Sequence, residues 1–120
     1  YDDATGVDPI RAAREKGWDV WGETCTQYFF IDDTFLERPD FEGAKYVCSP
    51  PMRDPSNRPA LWRGLQAGDL QIFGSDHCSF NFAGQKELGR DNFTLIPNGA
   101  PGLEERAAQG APLGPGRRRD

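Results

Sequence analysis

Leu70-Gln71-Ile72-Phe73-Gly74-Ser75-Asp76-His77-Cys78-Ser79-Phe80-Asn81-Phe82 is the stretch on which the fold reading turns. Its first four residues form a short apolar run, as a buried strand does, and Gly74 breaks the pattern. An Asp at the point where a strand gives way to a long loop is well placed for chemistry. The strand fixes its position and the loop leaves room for a ligand. His77 follows directly and is the single histidine of the chain. Any metal or proton chemistry of this chain involves this corner or groups supplied from elsewhere.

Outward from that strand, the pattern alternates. Asp8 and Pro9 read as the cap and first residue of a helix continued by Ile10, Ala13 and Arg14 and stopped at Gly17. Residues 18–24 alternate apolar and polar as a strand does. Residues 26–31 are β-prone, or a loop packing Tyr28, Phe29 and Phe30 inward. Asp32 to Leu36 reads as a helical turn ended before Pro39. Residues 44–48 read as a second strand, which Pro50-Pro51 must terminate. Pro59 to Ala67 places Leu61, Trp62 and Leu65 on one helical face, with Gly68 as its stop. Residues 70–75 are the third strand, 76–98 a long loop, and 101–108 a further helix. Helices alternating with strands predict an α/β fold with a parallel sheet. Three strands do not close a barrel, and a parallel sheet needs both faces covered. The expected architecture is therefore a sector of a larger α/β fold.

Composition supports that expectation. Hydrophobic residues are 37% of the 120 residues and mean hydropathy is −0.71, against ~45–50% apolar in an ordinary globular domain. Glycine (14) and proline (10) are abundant, so much of the backbone is turn or loop. The net charge of −5 argues against a nucleic-acid surface. Arg117-Arg118-Arg119 reads as a solvated tail, and no long apolar run suggests a membrane span. Cys25, Cys48 and Cys78 have neither CxxC nor zinc-finger spacing, which reads as reduced thiols in a cytosolic protein.

Ser49, after the second strand, Asp76, after the third, and Asn98, late in the long loop, share one topological location. In a parallel sheet all strand C-terminal ends face the same way, so the three can converge on one pocket. Asp76 is a potential hard-metal ligand or general base, or a turn residue bonded to its own backbone. Ser49 offers a hydroxyl beside a rigid Pro-Pro step. Asn98-Gly99 offers backbone groups or a plain turn. His77 reads as a core or loop-anchoring residue, and Lys86, Glu87 and Arg90 as ion-pair partners within the loop, a catalytic role for Lys86 being the unsupported alternative. Glu23, at a strand end, is a candidate buried anion.

Six motifs in order resemble the dihydropyrimidinase and hydantoinase family, from about Asp8 to Ala107. They are Gly22-Glu23-Thr24-Cys25-Thr26-Gln27-Tyr28, Lys45-Tyr46-Val47-Cys48-Ser49-Pro50-Pro51-Met52-Arg53, Gly68-Asp69-Leu70-Gln71, Gly74-Ser75-Asp76-His77-Cys78-Ser79-Phe80, Gly84-Gln85-Lys86-Glu87-Leu88-Gly89 and Ile96-Pro97-Asn98-Gly99. The resemblance implies an amidohydrolase (β/α)8 TIM barrel, of which residues 1–107 would be a C-terminal sector and 108–120 a tail unlike the family. It implies a two-metal centre, usually zinc, and ring-opening hydrolysis of dihydropyrimidines or hydantoins. It implies that Asp76 is a metal ligand that also takes the proton of the attacking water, and that Ser49 and Asn98 bind the imide ring. A small cyclic amide is the expected partner, with no nucleic acid or membrane, in a cytoplasmic homotetramer. The family's other metal ligands are histidines and a carboxylated lysine upstream. Where its last histidine should precede the first helix, this chain has residues 1–7. The isolated chain is therefore expected to be inactive. The alternative is a non-catalytic, dihydropyrimidinase-like assembly protein; such relatives tend to lose the ligand Asp that Asp76 preserves.

Overall fold

In the computed structural model, which describes residues 2–104, helix α1 (Ala4–Glu15) leads into strand β1 (Glu23–Cys25) and the short helix α2 (Gln27–Phe30). Helix α3 (Arg58–Ala67) then leads into strand β2 (Ile72–Gly74). The two strands pair in parallel, with Glu23 opposite Ile72, Thr24 opposite Phe73 and Cys25 opposite Gly74. A parallel pair needs a crossover, and α3 lies on the segment that supplies it. Helices around a parallel sheet are the α/β class expected; the sheet has two strands among the described residues, not three.

The strand expected over residues 44–48 is instead a 3-10 turn, Glu42–Tyr46. Its amides are used locally: Ala44 N–H donates to Phe41 O (3.0 Å) and Val47 N–H to Ala44 O (3.3 Å). Gly43 abuts Leu36, where an added Cβ would meet the carbonyl oxygen at 2.0 Å. That contact ties the turn to the 3-10 segment Asp33–Glu37, where the sequence places a helical turn. Residues 26–31 are neither strand nor plain loop but contain α2. Tyr28 and Phe29 are buried as expected, whereas Phe30 is exposed.

Helix α1 begins five residues before Pro9, which lies inside it. Two groups outcompete the Asp8-Pro9 signal. Asp3 accepts from Gly6 N–H (3.1 Å), and Asn57 Oδ1, from the far side of the chain, accepts from Ala4 N–H (3.0 Å). Orphan amides of the first turn are thereby satisfied. Asp8 is left exposed beside Arg11. The stops at Gly17 and Gly68 hold, both with φ near +77°.

The core lies between α1, α3 and the sheet. Val7 and Ile10 meet Leu61, Leu70 and Phe29. Gly64 sets the approach: a Cβ there would sit 3.2 Å from Val7 Cγ1 and 3.1 Å from Leu70 Cδ1. Phe29 packs edge-on against Trp62, with centroids 4.8 Å apart, and against Phe73. Arg11 clamps α1 to Asp69 ahead of β2 at 2.8 Å. Trp18 and Trp21 remain outside, 62% and 65% exposed, so the strand expected over 18–24 shrinks to its last residues. The helix expected over 101–108 reaches only Leu103 and Glu104 among the described residues. The rest of it and the 108–120 tail lie outside them.

Candidate functional site

Ser49, Asp76 and Asn98 line one cleft of about 190 Å³, together with Gln27, Cys48 and Cys78. Each arrives by a different route. Asp76 stands two residues past β2 in left-handed backbone (φ 45°), and is exposed. Ser49 follows the Glu42–Tyr46 turn and enters a cis bond to Pro50. The buried Tyr28 hydroxyl donates to Pro50 O (3.0 Å), so α2 holds this loop from behind. Asn98 precedes Gly99, whose N–H donates to Val47 O (3.0 Å) and joins the Asn98 loop to the Ser49 loop. A Cβ on Gly99 would meet Cys78 O at 2.3 Å, so only glycine lets these backbones approach so closely.

His77 anchors the loop. Its Nδ1 accepts from the amides of Gly102 (3.1 Å) and Leu103 (3.3 Å), and the residue bridges to Ala100. Cys78 N–H donates to Ala100 O (3.1 Å). Glu23, expected as a buried anion, is exposed. Glu87 and Arg90 pair at 3.0 Å as anticipated. Lys86 does not join them. It is 2% exposed and donates to three main-chain carbonyls, Val47 O (2.9 Å), Pro97 O (2.6 Å) and Gly99 O (2.9 Å). Nothing in its local sequence announces this, because the acceptors lie 39, 11 and 13 residues away.

Burial pushes the Cys48 thiol up and the Lys86 ammonium down. Cys25, at the end of β1, is pushed up to about 11, first by burial and then by the negative charges of Asp76 and Glu23. These are protonated, poorly nucleophilic thiols near neutral pH, which does not favour thiolate chemistry. The cleft instead offers one carboxylate, one hydroxyl, the two side-chain amides of Gln27 and Asn98, and converging main-chain groups, a set able to hydrogen-bond a small polar molecule. A larger cavity of about 320 Å³ adjoins it through Gln27 and Ala100; Phe30, Ile31 and Pro101 give it an apolar wall, with Lys45 and Tyr46 also lining it.

D-hydantoinase of Geobacillus stearothermophilus is 56% identical to this chain over 105 residues, 88% of the chain and 22% of the relative. The chain belongs to the D-hydantoinase and dihydropyrimidinase family. D-hydantoinase of Streptomyces coelicolor is likewise 56% identical, over 100 residues, which are 83% of the chain and 21% of that protein. The crystal structure of dihydropyrimidinase from Brevibacillus agri superposes with a TM-score of 0.83 at 56% identity, over 91% of this chain and 25% of that one. The chain thus spans about a fifth of the length of the curated D-hydantoinases it matches. No family model matches.

The two-metal centre implied by the resemblance does not fit the residues of this sector by themselves. Among the described residues, Asp76 is the only carboxylate lining the cleft, and no cluster of three or more His, Cys, Asp or Glu could hold a metal ion. A closed site needs more protein ligands than one carboxylate supplies. Among the described residues, no helix is long and apolar enough to cross a membrane.

Proposed function

We propose that this chain is a sector, on the C-terminal side, of a (β/α)8 barrel hydrolase that opens cyclic amides, with dihydropyrimidines and hydantoins as its substrate class. Residues 1–107 are the barrel sector and 108–120 a tail outside it. The observation that carries this reading is the meeting of Ser49, Asp76 and Asn98 in one cleft beyond β2. The site of a parallel α/β fold lies in the loops beyond its strand ends. The volume of about 190 Å³ suits a small ring, below the ~300–1,000 Å³ of pockets for drug-sized ligands.

In this reading Ser49 and Asn98 hold the ring, mainly through the main-chain groups beside them. Asp76 would be this sector's contribution to holding the metal centre, and its carboxylate would be the base for the attacking water. The remaining ligands come from outside the described residues. When bound, zinc ions supply the Lewis acidity and the activated water. The isolated chain is inactive, and the whole protein is a cytoplasmic homotetramer that binds neither nucleic acid nor membrane.

The test replaces the matched 105 residues of the Geobacillus stearothermophilus D-hydantoinase with the corresponding residues of this chain. The graft is expected to bind zinc and hydrolyse hydantoin or dihydrouracil, and Asp76→Asn to abolish turnover. A folded, zinc-loaded graft without turnover overturns the reading. The 120-residue chain alone is expected to show neither zinc nor turnover; stoichiometric zinc in it would sink the sector reading.

A further inference from the structure

Lys86 is a buried cation whose three N–H donors each meet a different backbone carbonyl. An ammonium has three donors and no acceptor, so its capacity is used up. The acceptors come from the two loops that carry the ring-binding candidates. Val47 stands two residues before Ser49, and Pro97 and Gly99 flank Asn98 on either side. Gly99 N–H to Val47 O closes the same junction, and the Phe80 ring lies 5.6 Å from Nζ. Lys86 is not among the residues lining the cleft.

We propose that Lys86 is a positioning residue whose ammonium fixes the separation of the Ser49 and Asn98 backbones, and so the width of the ring-binding cleft. The proposal rests on the cyclic-amide reading above and adds a determinant of ring affinity to it. Charge-assisted bonds to carbonyls are among the stronger hydrogen bonds, and each carbonyl left buried without a donor carries a desolvation cost. Methionine matches the length of the lysine stem but supplies no donor. Arginine keeps the charge but presents a flat fork in place of a tripod.

The test uses the graft described above and the 120-residue chain, each as wild type, Lys86→Met, Lys86→Arg and the core control Leu61→Ala. In the graft, Lys86→Met is expected to raise KM for hydantoin and dihydrouracil about tenfold while kcat changes by less than about threefold. Lys86→Arg is expected to raise KM by a smaller factor. Leu61→Ala is expected to lower the melting temperature and leave KM unchanged. Amide exchange is expected to quicken at Gly99 and Cys78 in Lys86→Met, and not in α1 or α3. An unchanged KM, or exchange quickened equally throughout, overturns the proposal. A graft that never turns over sinks the cyclic-amide reading alone, because exchange at Gly99 still decides the role of Lys86. If Lys86→Met fails to fold, Lys86→Arg carries the same two readouts.

Discussion

The packed core and the loop segment that completes the cleft are held together by different physics. In residues 4–74, helices α1 and α3 bury Val7, Ile10, Leu61 and Leu70 against the parallel strands, and apolar area removed from water carries the order. In residues 75–104 two of the larger apolar side chains, Phe93 and Leu95, are 79% and 56% exposed. There the chain is shaped by hydrogen bonds into backbone: Lys86 to three carbonyls, two amides to His77 Nδ1, and Gly99 to Val47. Apolar packing tolerates a range of shapes, whereas a network of directed bonds specifies one spacing. The cleft lined by Ser49, Asp76 and Asn98 stands where the second kind of order is found.

The contrast can be broken most directly in the packed half. Leu61, fully buried, is expected to cost about 2–5 kcal/mol as Leu61→Ala, read by urea denaturation. A loss below about 1 kcal/mol would show that this half does not depend on its apolar core. A smaller effect is expected at the border. Tyr28→Phe removes the donor to Pro50 O and should cost about 0.5–1.5 kcal/mol. In the graft it should weaken ring binding more than turnover, because it loosens the Ser49 loop.

The buried thiols make the packed region sensitive to alkaline pH. Cys25 titrates at about 11 in the fold against an ordinary 9.0, so the folded chain keeps a proton that the unfolded chain releases. That stabilisation is whole below pH 9 and is lost as pH rises through about 11. Cys48 and Tyr28, raised mainly by burial, act in the same direction. Cys25→Val is expected to flatten part of the alkaline loss of stability, measured as melting temperature against pH. An unchanged slope would remove Cys25 from the account. The smallest effect is expected at the surface of the loop half: Glu87→Gln breaks the exposed pair with Arg90 and should change stability by less than about 0.5 kcal/mol.

Much of this was legible in the sequence wherever the signal was local. The Leu61, Trp62 and Leu65 face, the stop at Gly68 and the strand running toward Asp76 all depend on neighbours a few residues apart, and the structure keeps them. Ser49, Asp76 and Asn98 do line one cleft, as expected of loops beyond the sheet, although Ser49 leaves a 3-10 turn and not a strand: position beyond the sheet depends less on ladder hydrogen bonds than on the path of the chain. Helix α1 shows the opposite. A sound local cap at Asp8-Pro9 lost to Asp3 and to Asn57, a residue 53 positions from the amide it satisfies.

Residue type and short spacing alone gave the helix-to-strand units that end in β1 and β2, the polar, glycine- and proline-rich character of the chain, and the motifs it shares with D-hydantoinases. Tertiary structure alone decided that Lys86 is a buried clamp rather than a surface ion-pair partner, that Tyr28 braces the Ser49 loop, and that residues 44–48 turn instead of pairing as a strand. The reason is physical. Each outcome depends on which carbonyl or amide, tens of residues away, is left needing a partner once the chain has folded, and no local pattern records that need.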